Sequence, residues 1–288
     1  MSVDALQDKI RKTKNPSVLY FDGVTDWVPS HLLQSGETVT AYGTFCRSLM
    51  EALKGLIPAV RFGFGGFSAL GAEGMGLLKE LLEQASKLGY YVLLDVPGML
   101  NTQSAKQIAA TFCQENAPYV FDGLVVPTYL GTDILKPFLP LCKAGKALYP
   151  IVRTANKSAP EVQDLITGGR LVHTAVADLV SRLGEPYTGK CGYNNVGAVA
   201  AASAADSLRT LRTKYPRLFL LLDGYDYPNA NAKNCSFAFD KLGHGAAACA
   251  GASVVAAWKD SQTDDYAAAA VEALQRMKKN ITRYITVL

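Results

Sequence analysis

Histidine is scarce in this chain, with three among 288 residues. None lies at metal-ligand spacing from the six cysteines, Cys46, Cys113, Cys142, Cys191, Cys235 and Cys249, and no C-x-x-C pair occurs. No metal site is therefore expected, and no cofactor. Isolated cysteines of this kind are expected to be reduced and mostly buried, as in a cytosolic protein. Long apolar runs are missing too. The most apolar late stretch, residues 245–258, is mainly Ala and Gly and falls short of the ~20 residues a membrane span needs. The opening MSVDALQDKIRKTKN has the pattern of a charged amphipathic helix and lacks an apolar signal core, so a cytoplasmic location without a membrane partner is expected. A strong charge imbalance is also absent. The net charge is +4, with Lys and Arg scattered among acids instead of forming a stripe, and no nucleic-acid partner is expected.

The chain has ample apolar content, 49% hydrophobic against 19% charged. That is enough for a large core, and with no internal repeat, low-complexity stretch or linker in sight, residues 1–288 are expected to form a single domain. Strand and helix signals alternate throughout. Apolar strand runs fall at residues 17–22, 57–62, 90–94, 123–127, 147–154, 196–201, 218–223 and 245–250. Helical stretches between them fall at about 37–54, 73–88, 102–115, 133–142, 161–183 and 204–215, with a last helix at 264–284. A Gly-rich turn, GFGGFSALG, follows the second strand. Eight such units predict an α/β fold of the (β/α)8 TIM-barrel class with an extra N-terminal helix, since buried parallel strands are continuously apolar and right-handed crossovers join them. A doubly wound open sheet is the alternative.

The stretch YYVLLDVPGMLNTQS, residues 90–104, is the one around which the chain is organised. Its strand ends on Asp95, turn residues Pro97 and Gly98 follow, and a helix opens near Thr102. A residue that closes a parallel strand points into the mouth where active sites lie, so Asp95 is a site candidate; it could equally cap the loop, and the residues alone leave both open. The stretch resembles the third-strand motif Asp-x-Lys-x-x-Asp of the orotidine 5′-phosphate decarboxylase family, in its longer bacterial subgroup with a short helix before the first strand. In that family a lysine from the second strand joins the motif's lysine and two aspartates in an alternating charge network. The network forces carboxylate loss from the pyrimidine, and the motif lysine protonates the carbanion. Here Asp95 matches the first aspartate, Pro97 stands at the lysine, and Leu100 at the second aspartate.

The resemblance covers nearly the whole chain, favours the barrel over the open sheet, and implies roles for other strand ends. Asp22 matches the aspartate that the family places near the ribose hydroxyls, a fitting acceptor for a diol. Arg61 stands at the second-strand lysine. It keeps the charge without a releasable proton and is expected to form a structural ion pair with Asp95. VRTANKSAPEVQD, residues 152–164, matches the fifth-strand loop, implying base contacts from Thr154 and Asn156, although such residues also satisfy a loop's own backbone. GYNNVGAVAA, residues 192–201, also matches, as packing. At the phosphate end the family has Pro-Gly-Tyr-Gly-x-Gln and Asn-Ser-x-Arg-Gly. This chain has DGYDYPNA and CAGAS, with Tyr225 at the tyrosine, Pro228 at the glutamine, Ala252 at the arginine, and Asp223 and Asp226 as added acids. Amides of Gly251, Ala252 and Ser253 could hold a weaker anion, whereas a carboxylate nearby repels a phosphate dianion.

These losses imply a barrel silent for orotidine 5′-phosphate decarboxylation that binds a small molecule of the pyrimidine nucleoside or nucleotide class, or a partner protein. An active lyase of pyrimidine biosynthesis with a rearranged set, Asp22, Arg61, Asp95 and Asp223, is the alternative. A third reading is a structural subunit of a true decarboxylase, with the pocket filled by Tyr225, Tyr227 or Leu100. The resemblance also implies a homodimer with the mouths near the interface.

Overall fold

The structure is a computed structural model and describes every residue except Met1, Ser35, Glu115 and Leu288. Eight parallel strands form the barrel: β1 (Ser17–Phe21), β2 (Ala59–Phe62), β3 (Tyr91–Asp95), β4 (Gly123–Val126), β5 (Ala147–Pro150), β6 (Ala198–Ala201), β7 (Leu220–Asp223) and β8 (Ala246–Ala250). Their order runs from β5 through β1 and β8 to β6. Parallel bridges from Leu148 to Val196 and from Ile151 to Val199 close the ring between β5 and β6. An open sheet would leave both of those edges unpaired, and the closure settles the architecture as a TIM barrel.

Because successive strand residues face opposite sides, each strand divides cleanly. Leu19, Phe21, Val60, Phe62, Val92 and Leu94 meet the surrounding helices in the larger buried cluster. Val18, Ala59, Tyr91, Leu93, Val125, Tyr149, Val199, Phe219, Leu221 and Ala247 fill the interior. The first helix, α1 (Ser2–Thr13), seals the bottom by adding Val3, Leu6 and Ile10 to that interior cluster. Polar ties hold it there. Ser2 Oγ lies 2.6 Å from the Tyr91 hydroxyl, the Val3 amide donates to Asn195 Oδ1 at 3.0 Å, and Asp4 Oδ1 accepts the Cys191 amide at 2.8 Å.

Three sequence expectations change. The Gly-rich turn after β2 is a short helix, Phe64–Ala69. It can run beside the end of β1 because Gly66 has no side chain: a Cβ there would fall 1.8 Å from the Asp22 carbonyl oxygen. The helix expected at 133–142 shrinks to a 3-10 turn, Lys136–Phe138, and one helical turn, Leu139–Lys143. Pro137 and Pro140 each remove a backbone donor there. The helix expected at 161–183 is broken into Pro160–Gln163, a ribbon of Ile166–Thr167 with Arg170–Leu171, and Val172–Gly184. Gly168 and Gly169, at φ 55° and 75°, form the two-residue turn with both φ positive that a tight hairpin favours. The helix expected at 102–115 runs Thr102–Cys113, and its expected end at Glu115 lies outside the described residues.

Because α1 supplies the barrel's floor, Leu6→Ala should cost about 2–5 kcal/mol, as a fully buried leucine does when its cavity cannot collapse. Urea unfolding should show an earlier midpoint. A loss under about 1 kcal/mol would mean that the floor is not part of the cooperative core.

Candidate active site

The inward sets of five strands end at the C-terminal mouth, and their last members build the site. Tyr20 and Asp22 follow Val18, Arg61 follows Ala59, Asp95 follows Leu93, Asp223 follows Leu221, and Cys249 with Gly251 follows Ala247. Arg61 is the centre, its side chain only 4% exposed. Its Nε donates to Asp95 Oδ1 at 2.6 Å and its Nη2 to Asp95 Oδ2 at 3.0 Å, a two-pronged pairing. Its Nη1 donates to Asp223 Oδ1 at 2.9 Å. The Tyr20 ring lies against the guanidinium, 4.5 Å from centroid to Cζ, and the Tyr20 hydroxyl is shared between Asp22 Oδ1 at 2.8 Å and Asp95 Oδ2 at 3.0 Å. Gly63 makes room for this web, since a Cβ there would sit 2.2 Å from Asp22 Oδ1.

Proton affinities follow from burial and from this crowding. Burial pushes the Asp95 carboxyl above the usual range, against the pull of Arg61 and with the nearby Asp223 adding to the push. Burial raises Asp22 as well, opposed by the Tyr20 hydroxyl and Arg61. The Tyr20 hydroxyl is driven well up, first by burial and then by Asp95. Burial lifts the Cys249 thiol to about 12. For Arg61, burial works against the cation, but Asp223 and Asp95 outweigh it and raise its proton affinity further. The web therefore holds a cation and neutral donors that keep their protons at neutral pH.

Above the web opens a cavity of about 430 Å³. Asp22, Asp223 and Asp226 line it together with Trp27, Tyr227, Tyr20, Thr154 and Asn156. Among the described residues its lining contains three carboxylates and no Lys, Arg or His. Gly251 and Ala252 are at its rim, but the Gly251 amide already donates to Asp226 Oδ2 at 2.7 Å. Thr154 and Asn156 face the cavity while tying their own loop. The Thr154 hydroxyl accepts from Gln163 Nε2 at 2.7 Å and donates to Asn156 Oδ1 at 2.6 Å. No group of three or more His, Cys, Asp or Glu among the described residues could hold a metal ion.

The expected members thus fall into three groups. Asp22, Asp223, Thr154, Asn156, Gly251 and Ala252 gather around the cavity, with Arg61 and Asp95 directly behind its wall. Tyr225 does not: it lines a shallow pocket with Asn231, Lys233 and Tyr284, and Tyr227 takes the place at the mouth. Ser253 is exposed and outside the cavity lining, and Leu100 is 87% exposed. Sequence reasoning missed Tyr20, Trp27 and Cys249. Tyr20 and Cys249 carried a usable signal, since each sits two residues before a named mouth residue and so shares its face.

Eight closed β-α units with a charged cluster at the strands' C-terminal ends define a barrel of the enzyme-bearing class. Its relatives are specific. The orotidine 5′-phosphate decarboxylase of Rhodopirellula baltica is 32% identical over 211 residues, covering 72% of this chain and 70% of the relative. That of Clostridium novyi is 25% identical over 260 residues, 89% of each chain. The chain belongs to the orotidine 5′-phosphate decarboxylase family. No family model matches it. Among solved structures, the Leishmania donovani OMP decarboxylase superposes with a TM-score of 0.71 at 23% identity over 96% of this chain and 98% of that one. The Plasmodium berghei orotidine 5′-monophosphate decarboxylase gives 0.76 at 13% identity over 99% of each. These likenesses are ones of fold.

Arg61→Met should destabilise the chain by about 3–5 kcal/mol at pH 8, because two carboxylates lose the cation that compensates their burial. Asp95 already binds its proton more tightly than an ordinary aspartate, and losing the cation strengthens that. A carboxyl with a raised folded pKa favours the folded state as the pH falls toward that value, so the deficit should shrink between pH 8 and pH 5. A deficit unchanged over that range in denaturant melts would contradict the ion-pair account.

Proposed function

We propose that this chain is a member of its family that does not decarboxylate orotidine 5′-phosphate and instead binds a small ligand, of the pyrimidine nucleoside or nucleotide class, in the barrel mouth. The chain would act as one domain in the cytoplasm, where this ligand class is found. Among the described residues no helix is long and apolar enough to cross a membrane, which is compatible with that setting. The observation that carries the proposal is the cavity lining: three carboxylates, no Lys, Arg or His among the described residues, and an Arg61 already bonded through all three nitrogens.

Decarboxylation to a ring carbanion requires a proton donor at the reacting carbon and a very large stabilisation of developing charge. Accelerations of ~10¹⁷-fold correspond to about 23 kcal/mol. Pro97 has no proton to give, and the Leu100 side chain is turned to solvent. The guanidinium keeps its proton. A phosphate dianion entering beside Asp223 and Asp226 would be repelled, so the remote binding energy that orients a substrate would be missing as well.

A second reading has one observation in its favour. Asp223 and Asp95 on one guanidinium, with Asp22 joined through Tyr20, form an alternating array that a rearranged lyase could use. A purely structural subunit is less well supported, because Tyr227 stands on the cavity wall without filling it, and Tyr225 and Leu100 lie elsewhere.

One assay separates the first two readings. Loss of orotate-ring absorbance should not exceed background for the wild type. Pro97→Lys with Leu100→Asp should recover little, since position 100 faces solvent and misplacement of ~1 Å can cost ~10²-fold. Robust wild-type turnover would establish the rearranged lyase in place of the silent barrel.

We further propose a symmetric homodimer with the mouths near the interface. Exposed apolar side chains on the segments after β3, β4 and β5, namely Leu100, Leu130, Val162, Leu165 and Ile166, support it, and such an interface should bury at least ~1,000 Å². Light scattering at micromolar concentration should give twice the chain mass of 30.9 kDa. A monomer would refute the dimer.

A further inference from the structure

The loops after the seventh and eighth strands, with a short helix behind them, are where barrels of this class most often seat a phosphoryl group, on backbone N–H donors. Here β8 leads through Gly251 into the short helix Ala252–Val255. The Gly251 N–H has a resident acceptor, Asp226 Oδ2, at 2.7 Å. The loop after β7 is shaped to deliver it. Gly224 turns at φ 73°, the Tyr227 amide donates back to the Gly224 carbonyl at 3.1 Å, and the packing at Gly224 is tight enough that a Cβ would lie 2.4 Å from the Tyr227 ring and 2.5 Å from Ala155 Cβ. A Cβ on Gly251 would sit 3.1 Å from the Trp27 ring and 3.4 Å from Asp226 Oδ2, so the carboxylate and the indole both pack close against Gly251.

We infer that Asp226 is the specificity residue of the mouth: its carboxylate holds the Gly251 amide in place of a ligand phosphate, and the site takes an unphosphorylated nucleoside in preference to the corresponding 5′-monophosphate. This rests on the mouth being a ligand site, as proposed above. The rest of the lining fits such a ligand. Asp22 and Asp223 accept from hydroxyl and ring N–H donors, Thr154 and Asn156 add polar edges, and Trp27 and Tyr227 offer flat apolar faces. A dianion would meet Asp226 and Asp223 and find no Lys, Arg or His among the described lining residues.

The test is calorimetric titration of the full chain with uridine, cytidine, their 5′-monophosphates and inorganic phosphate. The proteins are the wild type, Asp226→Asn and Asp226→Ala. Asparagine can still accept the Gly251 N–H through Oδ1 while losing the charge, so it keeps the loop in place if the alanine variant fails to fold. The wild type should bind at least one nucleoside at least ~10-fold more tightly than its monophosphate and should give no heat with phosphate, because like charges in contact repel strongly where water is partly excluded. That preference should fall by ~5-fold or more in Asp226→Asn. A monophosphate bound as tightly as its nucleoside by the wild type would overturn the inference, as would a preference unchanged in Asp226→Asn. The ligand-site reading would survive either result. Absence of binding by every nucleoside and nucleotide would overturn both.

Discussion

A guanidinium buried inside a barrel is tolerable only if its donors are met and its charge is balanced, and that requirement on Arg61 organises the whole mouth. Asp95 meets two of its nitrogens and Asp223 the third. Tyr20 covers its face and binds Asp22 to the same web. One cation thereby couples the ends of β1, β2, β3 and β7. An isolated carboxylate in this setting would tend to take up a proton or pull in water, whereas the assembled web holds five side chains in one geometry.

What stabilises the web also bears on the proposed loss of decarboxylation. Catalysis of a decarboxylation draws on groups that gain interactions as charge develops, and a guanidinium already bonded to two carboxylates gains little. Lysine at that position could exchange partners and move a proton; arginine, planar and always charged, is suited to holding carboxylates still. The surplus of acid in the lining acts in the same direction. With Asp22, Asp223 and Asp226 around it, the cavity presents hydrogen-bond acceptors and, among the described lining residues, no cationic side chain.

Most of the architecture was legible because strand periodicity and barrel topology reinforce each other. Eight apolar runs separated by helical stretches leave few ways to bury both faces of a parallel sheet. Asp95 could be placed at the mouth because it closes its strand, and Asp22, Arg61 and Asp223 because the stretches around them resemble the family's strand ends. Other features depend on contacts distant in sequence. That Tyr227 and not Tyr225 lines the cavity depends on the path of the chain after Gly224, at φ 73°, which the local motif does not specify. The helix at Phe64–Ala69 was hidden by its glycines, which are unfavourable in helices in general, although Gly66 is required here by its contact with the Asp22 backbone. The bond from the Gly251 amide to Asp226 spans 25 residues and could not be read from either local motif.

The central claim, that Arg61 is locked between Asp95 and Asp223, can be read directly by nitrogen-15 NMR of arginine side chains in the folded protein. The account predicts, for Arg61, separate and slowly exchanging Nη protons at neutral pH, with the separation lost in Asp95→Asn and Asp223→Asn variants. A single averaged Nη signal in rapid exchange with water would contradict it, and would mean that the guanidinium is free to rotate and available to a substrate.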